Sequence, residues 1–215
     1  MSLAIEAKGL SKNYFAKGLL VKQVFADLNF SLDVGERLAI TGANGCGKTT
    51  LLKILVNLIL PTAGSIELIG SRNPSWVPAS DQSFYSRLTG RENLLFFLSL
   101  QKISKSEITR RIDFWSEHLA LKESLKTPYY LCSSGMKQSL ALARGLVNDP
   151  AVLILDEPTR SLDPKASLEL IDSLKNLPGT KTIVFSTHSL EEAKALGTRS
   201  LNLDLEAGVD ATSSL

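Results

Sequence analysis

Short apolar runs recur along the chain, and each of them ends in polar residues. The three runs are "RLAI" at 37–40, "AVLIL" at 151–155 and "TIVFS" at 182–186. Apolar runs of this length, alternating with helical patterns, are typical of strands in a parallel sheet that is covered on both faces. Ligands bind beyond the carboxyl ends of the strands in such sheets, so the polar residues after the three runs are expected to converge on one site.

Two other segments have different patterns. Residues 24–36, "VFADLNFSLDVGE", alternate in a way that predicts an N-terminal antiparallel β layer. Residues from about 90 to 130 are more charged and helical in pattern, which indicates a helical subdomain inserted after the first buried strand. We therefore predict a single α/β domain over 1–215. Its core and β layer are formed by 1–78 and 140–205, and its helical subdomain by 79–139.

Composition narrows the class of protein. The 215 residues can bury a sizeable core, and the net charge of +2 is too small to indicate a nucleic-acid partner. No apolar stretch reaches the roughly 18–20 residues of a spanning helix, and the N-terminus lacks the basic-then-apolar order of a signal peptide. The two cysteines have no metal-type spacing and form no disulfide framework. A soluble protein of a reducing compartment is expected.

The strongest motif is "GANGCGKTT" at 42–50, which lies between a predicted strand and a predicted helix. It fits the phosphate loop G-x-x-x-x-G-K-[ST], in which glycines let successive backbone N–H groups face the phosphates of a nucleotide. Lys48 is expected to reach the β- and γ-phosphates, and Thr49 to bind Mg²⁺. A chance glycine-rich turn is the alternative, and the flanking strand and helix argue against it. The other predicted nucleotide-binding residues of the loop are Gly42, Asn44, Gly45, Cys46, Gly47 and Thr50.

The acidic pair in "LILDEP" supplies matching chemistry at the end of the second strand. Asp156 is expected to hold Mg²⁺ through its water shell, because this cation prefers oxygen ligands. Glu157 is expected to polarise the water that attacks the γ-phosphate. The pair could instead cap a neighbouring helix. His188 follows the third strand, and this position makes it a candidate sensor of the γ-phosphate and a catalytic residue with Glu157 and Lys48.

A second helix start also has the character of an anion site. In "LCSSGMKQSLALARGL" at 131–146, Ser133, Ser134 and Gly135 occupy the expected N-cap region of an amphipathic helix. Backbone N–H groups and the helix dipole favour a negative charge at such an end. The chain therefore carries two helix starts suited to phosphate.

These motifs together resemble an ATP-binding cassette (ABC) ATPase. "GANGCGKTT", "SSGMKQSLALARGL", "LILDEPTRSLDP" and "STHSLEEA" occur in the order and spacing of that family, and the resemblance covers about residues 5–200. The chain is similar to nucleotide-binding subunits of transporters, particularly bacterial exporters whose membrane half is a separate polypeptide. The resemblance implies a P-loop NTPase fold with a RecA-like parallel sheet, and hydrolysis of ATP with Mg²⁺.

The resemblance also implies partners. Cassettes of this family work as head-to-tail dimers, in which the signature helix of one subunit binds the γ-phosphate of ATP held by the other. This implies a homodimer or a paired cassette, an integral membrane permease subunit, and a cytoplasmic position on the inner face of the cell membrane. Ser133, Gly135 and Met136 match the signature residues that act on the partner's ATP, and the loop Ser161–Leu162–Asp163 matches the segment that touches the partner.

Some family positions leave alternatives open. Tyr14 matches the aromatic residue that stacks on adenine, although an ordinary core or surface tyrosine is the alternative and Phe15 could replace it. Cys132 stands where the signature has leucine. Ala79 stands where the family has the glutamine that binds Mg²⁺. Either Gln82 serves this role, or the metal loses that ligand.

Two further hypotheses concern surfaces. Phe84 and Tyr85 could line a groove for a short helix of the membrane partner, or they could simply pack the helical subdomain. Cys46 and Cys132 both lie near helix starts, which predicts lowered thiol pKa values. A head-to-tail dimer would bring Cys132 of one chain near Cys46 of the other, so mild oxidation of the purified protein is expected to link the two chains by a disulfide.

Other functions fit less well. A phosphate-loop kinase or GTPase does not explain the signature helix, and the guanine-reading N-K-x-D is absent. A soluble cassette ATPase of DNA repair or translation is the alternative class. Repair types carry a long coiled-coil insertion and translation types carry two cassettes, and this sequence has neither. The cargo and the direction of transport are not encoded in the motifs.

Overall fold

The chain divides into two compact units. The computed structural model describes residues 2–69, 74–80, 82–101 and 103–204, and the backbone of 212–214. Unit 1 consists of Met1–Trp76, Ala151–Glu157 and Pro178–Leu215, and unit 2 of Val77–Pro150 and Pro158–Leu177.

Unit 1 contains the predicted antiparallel β layer. Its three strands lie in the order β2-β1-β4, and both pairings are antiparallel. Apolar residues of β1 alternate with more exposed ones, and this alternation buries one face of the layer. The strands are β1 (Leu3–Ala16), β2 (Leu19–Asp33) and β4 (Ala63–Leu68).

The second sheet contains all three of the predicted apolar strands. Its strand order is β5-β6-β7-β3-β8-β9, and the pairs β6–β7, β7–β3 and β3–β8 are parallel. Every residue of β6 and β7 is buried, which explains why their sequences are apolar. The strands are β3 (Arg37–Thr41), β5 (Ser75–Val77), β6 (Val152–Asp156), β7 (Thr182–Ser186), β8 (Arg199–Asn202) and β9 (Thr212–Ser214).

The core of unit 1 lies between the β layer and the parallel sheet. Helix α1 (Lys48–Leu55) contributes four fully or almost fully buried side chains: Leu51, Leu52, Ile54 and Leu55. They form one cluster with side chains of β1, β3 and β6, including Ile5, Leu38 and Ile154. A second helix, α6 (Leu190–Leu196), contacts β3. This packing fixes the carboxyl ends of the strands relative to the start of α1.

Unit 2 is helical, as its charged and amphipathic pattern predicts. The helices α2 and α3 contact each other, and α4 contacts α2, α3 and α5. Unit 2 is wider than the predicted 79–139, because α4 continues unbroken through the signature segment and α5 packs against it. Its helices are α2 (Gly90–Ser99), α3 (Lys105–His118), α4 (Ser134–Leu146) and α5 (Pro164–Lys175), with a 3-10 turn at Tyr129–Leu131.

Within the described residues, no helix combines the length and the apolar character that crossing a bilayer requires.

Candidate functional site

The loop between β3 and α1 has the backbone of a phosphate cradle. Gly45 and Gly47 have φ angles of 83° and 116°, in the region that side-chain-bearing residues rarely adopt. A Cβ atom on Gly47 would also lie 2.3 Å from Cγ1 of Val24. A Cβ atom on Gly45 would project into open space with no atom within 4 Å. Glycine at these positions therefore allows the loop to wrap.

The start of α1 is suited to an anion. Among the six α-helices of the described residues, α1 alone begins without a side-chain cap, because its N-cap residue is Gly47. The other five are capped by Thr89, Ser104, Ser133, Asp163 and Ser189. First-turn N–H groups have no partner inside a helix, so phosphate oxygens can accept their hydrogen bonds at α1.

Lys48 points its ammonium group at the loop. The residue is only 5% exposed, and its Nζ donates to the carbonyl oxygens of Gly42 at 2.7 Å and Ala43 at 3.1 Å. An ammonium group has three N–H donors, so these two bonds leave donor capacity for a phosphate oxygen. The predicted contact of Lys48 with phosphate fits this geometry.

Thr49 and Asp156 meet at the same edge of the sheet. The Thr49 hydroxyl lies 3.0 and 2.9 Å from the two carboxylate oxygens of Asp156. These residues are 107 positions apart in the sequence, and the parallel strands bring them together. A hydroxyl and a carboxylate are ligands that Mg²⁺ accepts, and in nucleotide sites this ion takes few protein ligands and completes its shell with phosphates and water. The pair therefore fits the predicted metal position.

Glu157 follows Asp156 with an unusual backbone. Its φ is 43°, and its N–H donates to the hydroxyl of Ser186 at 2.9 Å. The same hydroxyl donates to Oδ1 of Asp156 at 2.7 Å. Sequence reasoning missed Ser186, which it treated only as the end of a buried strand. The signal was a polar residue closing an otherwise apolar run.

His188 lies at the mouth of the phosphate loop. It is exposed between β7 and α6, and it lines a cleft of about 430 Å³ with Gly42, Ala43 and Asn44. The preceding hydroxyl of Thr187 donates to the buried carboxylate of Glu192 and accepts the N–H of Ser189 at 3.0 Å. These bonds fix the turn that carries His188. The sequence marked Thr187 only as a polar residue after the third strand, and it indicated no role for Ser189 or Glu192.

Two more charged residues make hydrogen bonds to the backbone of the phosphate loop. Oδ2 of Asp204 accepts the N–H of Ala43 at 2.7 Å, and Nζ of Lys22 donates to the carbonyl oxygen of Gly45 at 3.0 Å. Neither residue belongs to a sequence motif, so sequence reasoning could not find them. Lys22 lies on β2 and Asp204 in the turn after β8, so the loop is joined to two other parts of the chain.

Tyr14 lies on β1 with 44% of its surface exposed, which excludes the core alternative. The ammonium group of Lys12 lies 5.1 Å from the centre of its ring. Its neighbour Phe15 is 57% exposed. An exposed aromatic ring in unit 1 is compatible with stacking on a base, and the assignment stays a prediction.

The signature residues and Gln82 belong to unit 2, whereas the phosphate loop belongs to unit 1. Ser133 is the N-cap of α4, as predicted, and its hydroxyl accepts the N–H of Met136 at 3.2 Å. A Cβ atom on Gly135 would lie 3.3 Å from Cβ of Ala166 on α5, which is a tight fit. Gln82 is exposed. In this arrangement the Met136 N–H already has a partner, so phosphate would compete with Ser133 for it.

The groove hypothesis is wrong for Phe84. This side chain is 7% exposed and stacks on Tyr129, with ring centres 4.7 Å apart. The ring of Phe97 meets it edge-on at 5.6 Å, and the guanidinium of Arg144 lies 5.0 Å from its centre. Phe84 therefore packs the interior of unit 2. Its neighbour Tyr85 is half exposed and contacts Phe96.

The expectation of a reactive thiolate is wrong for Cys132. The side chain is 6% exposed, and its thiol lies 3.6 Å from the carbonyl oxygen of Pro128 and 3.8 Å from that of Thr127. Burial raises the pKa of the Cys132 thiol, although the positive charge of Lys137 opposes this. A buried thiol of raised pKa is poorly suited to forming a disulfide with another subunit. Cys46 is partly exposed.

A family model and individual related proteins identify the same protein family. Residues 25–160 match the family described as ABC transporter. The chain is 36% identical over 204 residues to Nod factor export ATP-binding protein I of Rhizobium johnstonii, covering 90% of this chain and 64% of that protein. It is 37% identical over 183 residues to taurine import ATP-binding protein TauB of Pelagibacter ubique, covering 80% of this chain and 68% of that protein. The chain thus spans just under two thirds of the Nod factor export protein.

The fold agrees with these matches. The structure resembles that of the ATP-binding cassette MJ0796, which is described as a dimer in a post-hydrolysis state bound to ADP and Pi. The TM-score is 0.80 at 25% identity, over 98% of both chains. This confirms the predicted P-loop NTPase fold and the resemblance drawn from the four motifs. The sequence matches and the phosphate loop beside its acidic pair together show that this chain belongs to the ABC transporter family, as an ATP-binding ATPase domain of that family.

Proposed function

We propose that this chain binds and hydrolyses ATP with Mg²⁺ as a subunit of an ABC transporter, and that it drives a separate membrane subunit for export. The observation that carries the proposal is the hydrogen-bonded series from Thr49 through Asp156 and Ser186 to Glu157. This series lies at the start of α1, beside a loop shaped for phosphate. A site that only bound nucleotide would not need an acidic residue held in place after the metal-binding carboxylate.

The residues divide the chemistry between them. The loop N–H groups and the Lys48 ammonium bind and orient the phosphates. Thr49 and Asp156 would hold Mg²⁺, which supplies positive charge to the phosphate oxygens when it is bound. The Glu157 carboxylate accepts a hydrogen bond from the attacking water. This bond orients the water, and the carboxylate then receives its proton. His188, at the mouth of the cleft, donates a hydrogen bond to the γ-phosphate.

The second phosphate-binding helix serves a partner's nucleotide. Ser133 is exposed at the N-terminus of α4, and Gly135 follows it in the first turn. In a head-to-tail dimer of two such chains, each signature helix contacts the ATP in the other chain's loop. The dimeric state described for MJ0796 with ADP and Pi supports this arrangement. Tyr14 would stack on the adenine, and Gln82 would be a further ligand of Mg²⁺.

The transporter role rests on the family and on the character of unit 2. Tyr85 and Phe96 form an exposed aromatic pair on unit 2. We assign this pair to the contact with the membrane subunit, which places the chain on the cytoplasmic face of the cell membrane. The relatives include a Nod factor export protein and a taurine import protein. Export, as in the name of the Nod factor protein, is the direction we propose.

Two variants test the separate roles of Glu157 in hydrolysis and Lys48 in ATP binding. Glu157→Gln preserves the shape of the side chain, so ATP affinity should remain within about twofold while turnover falls by about a hundredfold or more. Lys48→Ala should instead weaken ATP binding itself. The measurements are nucleotide affinity by titration calorimetry and steady-state phosphate release. Lys53→Ala, at the other end of the same helix, is the matched control and should change neither. Near-normal turnover in Glu157→Gln would refute the assignment of the base.

A further inference from the structure

We propose that Ser186 is a positioning residue for catalysis, which holds the backbone of Glu157 in the conformation that aims its carboxylate. The inference rests on the proposed role of Glu157 as the base. Ser186 does not touch the reacting atoms. It acts through Glu157 and Asp156, the two acidic residues of the site.

The hydroxyl of Ser186 makes two hydrogen bonds, one as donor and one as acceptor. It donates its single hydrogen to Oδ1 of Asp156 at 2.7 Å, and its oxygen accepts the N–H of Glu157 at 2.9 Å. Ser186 is 0% exposed and Asp156 is 6% exposed, so water does not replace either bond at low cost. Because the Asp156 carboxylate can only accept, it fixes which way the hydroxyl points, and the lone pairs then face Glu157.

The backbone of Glu157 needs such a partner. Its φ of 43° lies in the left-handed region, which glutamate adopts far less readily than glycine, asparagine or aspartate. A conformation of this kind persists only where surrounding contacts determine it, and such conformations cluster at active sites. The N–H of Glu157 itself donates this hydrogen bond, and the Ser186 hydroxyl accepts it. Without it, the residue can relax and its carboxylate changes direction.

The strand register explains why Ser186 can do this. Residue 186 is the last residue of β7, and it pairs with Asp156, the last residue of the parallel strand β6. Glu157 directly follows β6, so its N–H reaches the Ser186 hydroxyl. An apolar residue at position 186 would fill the same space and leave this N–H without its acceptor.

The same strand offers a matched control at its other end. The Thr182 hydroxyl is also buried, and it accepts the N–H of Gly35 at 3.0 Å. Ser186→Ala and Thr182→Val each remove one buried hydroxyl that accepts one backbone N–H. Both variants should therefore lower the unfolding temperature. Only Ser186→Ala removes a contact to the site.

The experiment measures kcat and KM for ATP with the purified chain. Ser186→Ala should lower kcat by about tenfold or more and leave KM within about twofold, while Thr182→Val leaves both near the wild-type values. In the Glu157→Gln background, Ser186→Ala should cause no further loss in single-turnover hydrolysis, because the group that it positions is already lost. If Ser186→Ala does not fold, Ser186→Cys takes its place: the thiol fills the site and is a weaker hydrogen-bonding group, so kcat should fall below that of Thr182→Val.

Three results would overturn the inference. The first is a kcat for Ser186→Ala, or for Ser186→Cys in its place, that equals that of Thr182→Val. The second is a rise in KM at constant kcat, which assigns Ser186 to nucleotide binding. The third is an equal loss of activity in the wild-type and Glu157→Gln backgrounds. If Glu157→Gln itself keeps normal turnover, the proposed base is wrong, and that outcome is distinct from all three.

Discussion

The two cysteines show how strongly the chemistry of a side chain depends on its surroundings. Both lie near the start of a helix, where thiols often become reactive. Cys132 is buried beneath carbonyl oxygens of its own chain, and its pKa is raised. Cys46 is partly exposed within the phosphate loop. Position near a helix start is therefore not sufficient to predict a reactive thiol, because burial disfavours the charged form.

Alkylation should distinguish the two thiols. N-ethylmaleimide should label Cys46 in the native chain and Cys132 only after unfolding, because the reagent needs an accessible thiolate. ATP with Mg²⁺ should slow labelling of Cys46 by about tenfold at saturation, because the bound phosphates cover the loop. The measurement is labelling over time by intact mass. Lys48→Ala is the control and should lose the protection. Rapid native labelling of Cys132, or no effect of ATP on Cys46, would contradict this account.

At the scale of elements, the N-terminus of α4 matters both for stability and for the proposed chemistry. Ser133 caps α4 through the Met136 N–H, and Ser104 caps α3 through the Glu107 N–H at 3.3 Å. The two caps have the same geometry, with the serine side chain bonded to the third residue of the helix. They allow a structural effect to be separated from a functional one.

Removing the two caps should therefore lower stability equally but change ATP turnover differently. Ser133→Ala and Ser104→Ala should each cost about 1 kcal/mol of stability, the usual loss for a serine N-cap. Only Ser133→Ala should also lower ATP turnover, by about tenfold, because its hydroxyl faces the partner's nucleotide in the proposed dimer. Unfolding by urea and steady-state hydrolysis measure the two effects. Equal activities of the two variants would show that Ser133 is a cap and nothing more.

Substitution of the two aromatic residues before α2, Phe84 and Tyr85, should likewise give different effects on stability and function. Phe84→Ala should lower the free energy of unfolding by about 3–5 kcal/mol, because it empties a buried site among Tyr129, Phe97 and Arg144. Tyr85→Ala should cost less than about 1 kcal/mol, because that side chain is half exposed. In cells, Tyr85→Ala should release the chain from membranes while its ATP affinity is kept. A large loss of stability in Tyr85→Ala would contradict its assignment to the surface.

Sequence patterns predicted the elements better than the contacts between them. The strands β3, β6 and β7 could be predicted because their buried positions are mostly apolar. The bond between Glu157 and Ser186 depends on the register of two strands 29 residues apart, which no local pattern encodes. The contact between Asp204 and the phosphate loop spans 161 residues. Phe84 and Tyr85 are adjacent aromatic residues, and only packing decides which of them is buried.

At the scale of the whole molecule, the phosphate loop and the signature helix belong to different units. The loop, the acidic pair and His188 lie in unit 1, and Ser133 lies in unit 2. In the proposed dimer, each of the two predicted phosphate-binding helix starts of a chain contacts a different ATP. This assignment requires two chains to assemble on nucleotide. Dimerisation that depends on ATP is therefore the central claim.

The molar mass of Glu157→Gln at saturating ATP and Mg²⁺ tests this claim most directly. The variant should bind ATP without consuming it, so the closed dimer accumulates. Light scattering during gel filtration should give about twice the 23.4 kDa of one chain with ATP, and the mass of a single chain without nucleotide. Ser133→Arg in the same background should stay monomeric, because its side chain blocks the partner's phosphate. A mass of one chain for Glu157→Gln with ATP bound would contradict the account.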